Sequence, residues 1–125
     1  MLTDELTQQI IACAYKVHNT LGSGFLEKVY EKAMMIELRD CGLMAEQQHP
    51  IEVFYKEESN GEYFADILVE DEVILELKAV ENIDKIHHVQ LVNYLNATGL
   101  ETGLLINFGS SVEVKRKFRD YKKKY

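Results

Sequence analysis

The residues best suited to chemistry lie in a short acidic and apolar stretch that runs from Asp66 to Lys78. Apolar runs on either side of Asp71 predict a β-hairpin. If the turn is centred on Asp71, Asp66 lies directly opposite Glu76, with Cβ atoms about 4.5–5.5 Å apart. Because side chains alternate along a strand, Lys78 shares the face of Glu76. The pattern therefore predicts two carboxylates and an ammonium group on one patch of a sheet.

Two facing carboxylates repel each other unless a positive charge lies between them. Clustered carboxylate oxygens are the ligands that Mg²⁺ and Mn²⁺ prefer, and a bound ion of this kind supports hydrolysis of a phosphodiester. A neighbouring lysine can orient the attacking water or stabilise the developing negative charge. The residues alone also fit a second interpretation, in which an exposed hairpin carries solvated ion pairs that contribute little to stability.

Two amphipathic helices precede this hairpin. The first begins at Thr3, the predicted N-cap, and ends at Gly22. The second covers about 25–41 and ends at Gly42. We expect Leu26, Val29, Tyr30, Ala33, Met34 and Leu38 on its buried side.

The chain then changes to strand patterns. Pro50 marks the predicted start of the next strand, and Ser59-Asn60-Gly61 predicts the turn that follows it. Both faces of the central strands carry apolar residues, which indicates a sheet that is covered on two sides. The predicted elements after the first two helices cover 51–55, 63–69, 73–80, 83–98 (a helix), 104–108 and 112–118. The order is ααβββαββ.

Charge is distributed unevenly along the 125 residues, which carry a net charge of -7. Seven of the 14 basic residues lie in 115–125, so residues 1–114 carry -13. We interpret the chain as one domain, 1–125, with a basic C-terminal tail over 115–125. Basic side chains interleaved with aromatic rings suit nucleic acid, and a solvated, frayed terminus is the alternative. The basic residues assigned to nucleic-acid binding are Lys115, Arg116, Lys117 and Arg119.

Two cysteines, Cys13 and Cys41, show no metal-binding or disulfide spacing, and we expect both to be reduced core residues. No apolar run approaches the ~18 residues that a membrane span needs, and no basic segment precedes an apolar one at the N-terminus. A cytoplasmic protein without membrane contact is therefore expected.

Several ordered motifs resemble a known family. Gly24, Glu27 and Tyr30 match the pattern GxxExxY, and further matching segments follow over 76–81, 90–99 and 103–109. The chain is similar to the GxxExxY family, which belongs to the PD-(D/E)xK nuclease-like superfamily. This resemblance implies an α/β fold with a restriction-endonuclease-like core, a mixed β-sheet flanked by helices, and the order ααβββαββ fits it.

The resemblance also implies roles for individual residues. Asp66 and Glu76 would bind Mg²⁺ or Mn²⁺ with the carbonyl of Leu77, Lys78 would assist the attack of water, and Glu27 would support metal or water. Gln90 and Tyr94 match helix positions that line such sites, so Gln90 joins Glu27, Asp66, Glu76 and Lys78 as a catalytic candidate. From their positions in the sequence, the hydroxyl of Tyr30 could support Glu27, and His18 could approach the site, with core packing as the alternative for each.

These observations together predict a metal-dependent, nuclease-like protein that hydrolyses DNA, with RNA as the less favoured substrate. The competing interpretation is a non-catalytic interaction or regulatory module that keeps the fold and binds a protein partner or forms a homo-oligomer, and a third is a phosphodiesterase that acts on a small molecule. The superfamily includes members of both kinds, so the resemblance alone leaves this choice open.

Overall fold

The computed structural model describes residues 1–120 and contains the predicted order ααβββαββ. The elements are α1 (Thr3–Leu21), α2 (Glu27–Asp40), β1 (Ala45–Tyr55), β2 (Glu58–Val69), β3 (Val73–Lys78), α3 (Lys85–Thr98), β4 (Thr102–Phe108) and β5 (Val112–Phe118). The five strands form one mixed sheet in the order β1-β2-β3-β4-β5. Among the strands of residues 1–120, only β3 and β4 are parallel, and α3 provides the crossover that a parallel connection requires.

The hairpin of β2 and β3 has the predicted register. Ile67 pairs with Leu75, Leu68 with Ile74 and Val69 with Val73, so the register extends to Asp66 opposite Glu76. Glu70 and Asp71 both have positive φ angles, 53° and 52°, which the tight connection between the strands requires.

The first hairpin differs from its prediction at both ends. β1 begins at Ala45, and Pro50 lies inside it, opposite Phe64. Proline is tolerated there because β1 is an edge strand and one side of it needs no partner. The predicted turn at Ser59-Asn60-Gly61 is part of β2, and the chain reverses at Lys56-Glu57, where both φ angles are positive.

Two apolar clusters cover the two faces of the sheet, as the pattern of the central strands predicts. One cluster joins α1 and α2 to the sheet, and the other joins α3 to it. Adding a Cβ to Gly103 would place it 2.8 Å from Leu91 Cδ1, so α3 lies close against β4. The fully buried Tyr30 ring stacks on Phe108, with centroids 4.6 Å apart, and so fixes α2 against the other face.

Several details of the two N-terminal helices were predicted wrongly. Leu2 occupies the N-cap position of α1, and Thr3 instead donates its hydroxyl to Glu72 Oε1 at 2.6 Å. Leu26, at the N-cap of α2, and Val29, in its first turn, are both exposed instead of buried. Cys41 is also exposed, at the C-terminal end of α2.

The basic segment begins as an ordered strand. Lys115, Arg116 and Lys117 belong to β5, which pairs along its whole length with β4. The strand predicted over 112–118 is therefore confirmed, and the alternative of a frayed terminus does not apply to residues 115–118, whose backbone is paired with the sheet. The rest of the predicted tail, residues 121–125, lies outside the described residues. Within residues 1–120, no helix is long and apolar enough to span a bilayer.

Candidate active site

The strands β2 and β3 bring Asp66, Glu76 and Lys78 together at the end of their paired segment. The Leu77 N–H donates to Asp66 Oδ2 at 2.7 Å, so the main chain of β3 orients the aspartate of β2. Glu76 and Lys78 alternate with Leu75 and Leu77, which pack in the cluster beneath α1 and α2. Glu76 is buried, and the Lys78 side chain is partly exposed.

The two carboxylates strongly affect each other. Burial, followed by the negative charge of Asp66, raises the pKa of Glu76 to about 9, and Lys78 acts in the opposite direction. Burial also raises the pKa of Asp66, against the hydrogen bond from Leu77 and the positive charge of Lys78. The ammonium group of Lys78 is therefore insufficient to stabilise a negative charge on the buried Glu76 next to that of Asp66, and near neutral pH the pair retains a proton.

Within residues 1–120, one oxygen of this pair lacks a hydrogen-bond partner. Glu76 Oε1 is buried, and no donor group of these residues reaches it. A divalent cation fits this site because Glu76 Oε1 could coordinate it, and the charge of the cation would replace that of the proton. Among residues 1–120, no three His, Cys, Asp or Glu side chains are arranged to hold an ion by themselves. Mg²⁺ typically takes only one or two protein carboxylates and completes its shell with water and substrate oxygens.

A third acid near the pair was missed by the sequence analysis. Glu31 on α2 is buried, and its charge raises the pKa of Asp66. Its carboxylate accepts hydrogen bonds from Lys28 Nζ at 3.1 Å, from Gln48 Nε2 at 3.1 Å and from Gln47 Nε2. The signal was present in the sequence, because Glu31 lies three and seven residues before the core residues Met34 and Leu38.

Glu27 and Tyr30, which carry the GxxExxY pattern, have different surroundings. Glu27 is exposed and is the first residue of α2. The Tyr30 hydroxyl donates to the Gly22 carbonyl at 2.6 Å and accepts from the Phe25 N–H at 3.3 Å. Tyr30 therefore fixes the glycine-containing loop that leads into α2, and its hydroxyl makes no contact with Glu27.

The remaining predicted site residues lie in two places. Gln90 is exposed on α3, and its Nε2 donates to the Tyr94 hydroxyl at 2.9 Å. His18 Nε2 lies 2.8 Å from the Gly109 carbonyl oxygen and connects α1 to the loop after β4. The structure brings Gln90 and Tyr94 together but gives His18 a structural contact on α1.

Three of the four basic residues assigned to nucleic acid take part in ion pairs. Lys115 Nζ lies 3.8 Å from a Glu113 carboxylate oxygen, and Arg119 pairs with Glu101 at 3.3 Å. Arg116 pairs with Asp4 at 3.3 Å and donates to the Thr7 hydroxyl at 2.8 Å, which connects β5 to α1. Lys117 is partly buried and lines a depression beside α3.

Comparison with known protein families gives a match to the PD-(D/E)XK nuclease superfamily over residues 4–119. The chain belongs to this superfamily. No curated protein gives a significant match to the sequence. The superfamily is named for an acidic residue followed by an acid-x-lysine pair, and in this chain Asp66 and Glu76-Leu77-Lys78 supply residues of those types.

A solved structure supports the fold of this PD-(D/E)XK protein. The crystal structure of SSO0001 superposes with a TM-score of 0.57 at 16% identity, covering 93% of this chain and 58% of SSO0001. This chain therefore spans less than two thirds of that relative. An alkaline exonuclease, LHK-Exo from Laribacter hongkongensis, gives a TM-score of 0.42 at 10% identity, covering 91% of this chain and 82% of the exonuclease. The similarity to SSO0001 shows a shared fold.

Proposed function

We propose that this protein is a divalent-metal-dependent nuclease that hydrolyses phosphodiester bonds in DNA, and that it belongs to the GxxExxY family within its superfamily. The observation that carries the proposal is the buried Glu76 next to the partly buried Asp66 and to Lys78, with one glutamate oxygen that has no hydrogen-bond partner within residues 1–120. Such a pair lowers the free energy of unfolding unless a bound cation offsets its charge. It is therefore typical of residues that bind a cation or take part in a reaction.

Each residue of the site would have its own role in binding the ion or the substrate. Asp66, Glu76 and the Leu77 carbonyl would hold Mg²⁺ or Mn²⁺, and the Leu77 N–H keeps the aspartate in place. When bound, the ion would polarise the phosphodiester and lower the pKa of a water. Lys78 would orient that water and stabilise negative charge, and its partial exposure allows it to reach a substrate in the solvent.

The experiment compares cleavage of labelled single-stranded and double-stranded DNA and RNA in the presence of Mg²⁺ or Mn²⁺. We expect Asp66→Asn and Lys78→Met to reduce the rate at least about 100-fold, because each removes a group that acts at the reacting phosphate. Glu58→Gln is the matched control, since Glu58 is an exposed acid on the same strand as Asp66.

Absence of metal-dependent cleavage by the wild-type protein, or equal cleavage by all four proteins, would contradict the proposal. That outcome would favour the non-catalytic module, in which the acidic pair is kept without a reaction. The preference for DNA over RNA, the cytoplasmic location and any homo-oligomer stay predictions, and the cleavage assay tests the first of them directly.

A further inference from the structure

A groove lies between α3 and the hairpin formed by β1 and β2. Its volume is about 480 Å³, which falls in the range of small-molecule sites, ~300–1,000 Å³. The hairpin contributes Val53, Asn60 and Tyr63 to the lining, and α3 contributes Gln90, Tyr94 and neighbouring residues. The groove therefore has the size to enclose a planar ring system and a few attached groups.

The lining combines aromatic rings with hydrogen-bonding groups. Tyr63 is 45% exposed, and its hydroxyl donates to the Asn60 carbonyl at 3.3 Å, which holds the ring in one orientation. The Tyr94 hydroxyl accepts a hydrogen bond from Gln90 Nε2, which orients the second ring. Two oriented tyrosines beside amide groups suit a nucleobase, which offers a π-face for stacking and polar edges for hydrogen bonds.

Two lysines lie on one side of this groove. Lys85 and Lys117 line an adjoining depression, which shares Val89 and Asn93 of α3 with the groove. A phosphate backbone would therefore follow α3 towards Lys117.

Tyr63, which lines the groove, is also close in sequence to the carboxylate pair. Tyr63 precedes Asp66 by three residues on β2, a distance of about 10 Å at the rise of an extended strand. Neighbouring nucleotides on a strand are separated by at least ~3.4 Å. A base in the groove would thus belong to a nucleotide within a few positions of a phosphate at Asp66.

We propose that this groove binds an unpaired nucleobase, so that the substrate of the protein is a single-stranded polynucleotide or the unpaired part of a duplex. The proposal rests on the proposed function, which supplies the phosphate at Asp66. A fully paired duplex is excluded from this contact because its bases are stacked on one another and hide the faces that the tyrosines would contact.

The test measures binding of a labelled oligothymidylate and of a blunt duplex of equal length, by fluorescence anisotropy, with Ca²⁺ replacing Mg²⁺. We expect Tyr63→Ala to weaken binding of the single strand about 5- to 100-fold and to leave the duplex unchanged, while Tyr63→Phe, which keeps the stacking ring and loses only the hydroxyl, weakens it much less. Tyr15→Ala is the control, because Tyr15 is 49% exposed on α1, an element that does not line the groove.

Lys117→Ala tests the contribution of charge to binding separately from that of base stacking. This variant should weaken the binding of both nucleic acids and reduce the slope of log affinity against log salt by about one. Circular dichroism and thermal unfolding confirm that each variant is folded before binding is measured.

Equal affinity of wild type and Tyr63→Ala for the single strand would overturn the groove proposal, even if metal-dependent cleavage is observed. Failure to cleave, with Tyr63-dependent binding intact, would overturn the nuclease alone. If the wild type binds no single strand and Tyr63→Ala instead changes the oligomeric state in sedimentation, the groove is a protein interface and the proposal is wrong.

Discussion

Replacing Glu76 with glutamine should make the protein less sensitive to alkaline pH. The carboxyl is buried beside Asp66, and its pKa is raised from 4.5 to about 9 in the folded state. Glutamine has nearly the same shape but does not ionise, so Glu76→Gln removes the cost of keeping this carboxyl protonated at a pH where it ionises in the unfolded chain. The prediction concerns the protein in the presence of a chelator and is independent of any catalytic role.

The sign and size of the effect follow from proton binding. Above the unfolded pKa, the folded state binds a proton at Glu76 that the unfolded state has lost, so stability falls as pH rises until the folded pKa is passed. Each pH unit in this interval costs about 1.4 kcal/mol. Between about pH 5 and about pH 8 the wild type should therefore lose up to about 4 kcal/mol through this group, a large share of the ~5–15 kcal/mol typical of a domain.

Urea unfolding at a series of pH values measures this free energy directly. We expect the curves of wild type and Glu76→Gln to agree within about 1 kcal/mol near pH 5, where the glutamate is protonated. They should diverge as the pH rises, with the variant more stable. Glu58→Gln is the control, since Glu58 is exposed and its substitution should leave the pH profile unchanged.

Parallel profiles for wild type and Glu76→Gln would refute the reasoning, because they would mean that Glu76 ionises equally in the folded and unfolded states. A variant that is less stable than wild type at about pH 8 would also refute it.

Three further substitutions or treatments test the surroundings of the site. Glu31→Gln should reduce the free energy of unfolding by about 1–3 kcal/mol, because its buried carboxylate accepts three side-chain hydrogen bonds, whereas Glu37→Gln on the same helix should have little effect. Tyr30→Phe removes a buried hydroxyl that holds the loop before α2, and thermal unfolding should show a loss of about 1–2 kcal/mol while the stacked ring remains. Treatment with the thiol oxidant diamide should form an intramolecular disulfide between Cys13 and Cys41, because their sulfurs lie 3.4 Å apart. Mass spectrometry would detect it as two thiols protected from alkylation, and Cys41→Ser should abolish that protection. Two free thiols in the treated wild type would contradict the prediction.

Much of the fold could be predicted from local sequence. Apolar spacing and glycine stops gave the order of the eight elements, and the acidic turn at Glu70-Asp71-Glu72 gave the register of β2 and β3 because a short turn permits few pairings. The start of β1 and the turn at Lys56-Glu57 were not predicted, since polar residues dominate both and non-glycine residues rarely adopt positive φ angles.

The candidate site could also be predicted only in part from the sequence. Asp66, Glu76 and Lys78 could be placed on one patch because they belong to neighbouring segments of a single hairpin. Glu31 could not be associated with them, because α2 approaches Asp66 only through packing between elements that are distant in sequence. The role of the basic residues also depended on such contacts, since Arg116 meets Asp4 across 112 positions of the chain.

The sequence by itself determined which residues alternate, where helices stop and which acids face each other across a tight turn. These features depend on interactions over a few residues, whose geometry the backbone fixes. Only the tertiary structure decided that Glu76 is buried with an oxygen that no group of residues 1–120 hydrogen-bonds, that Glu31 adds a third charge, and that the β1 and β2 hairpin forms a groove with α3. Burial and the charges that surround it are properties of the assembled layers, because the dielectric environment of a side chain is set by everything that packs around it.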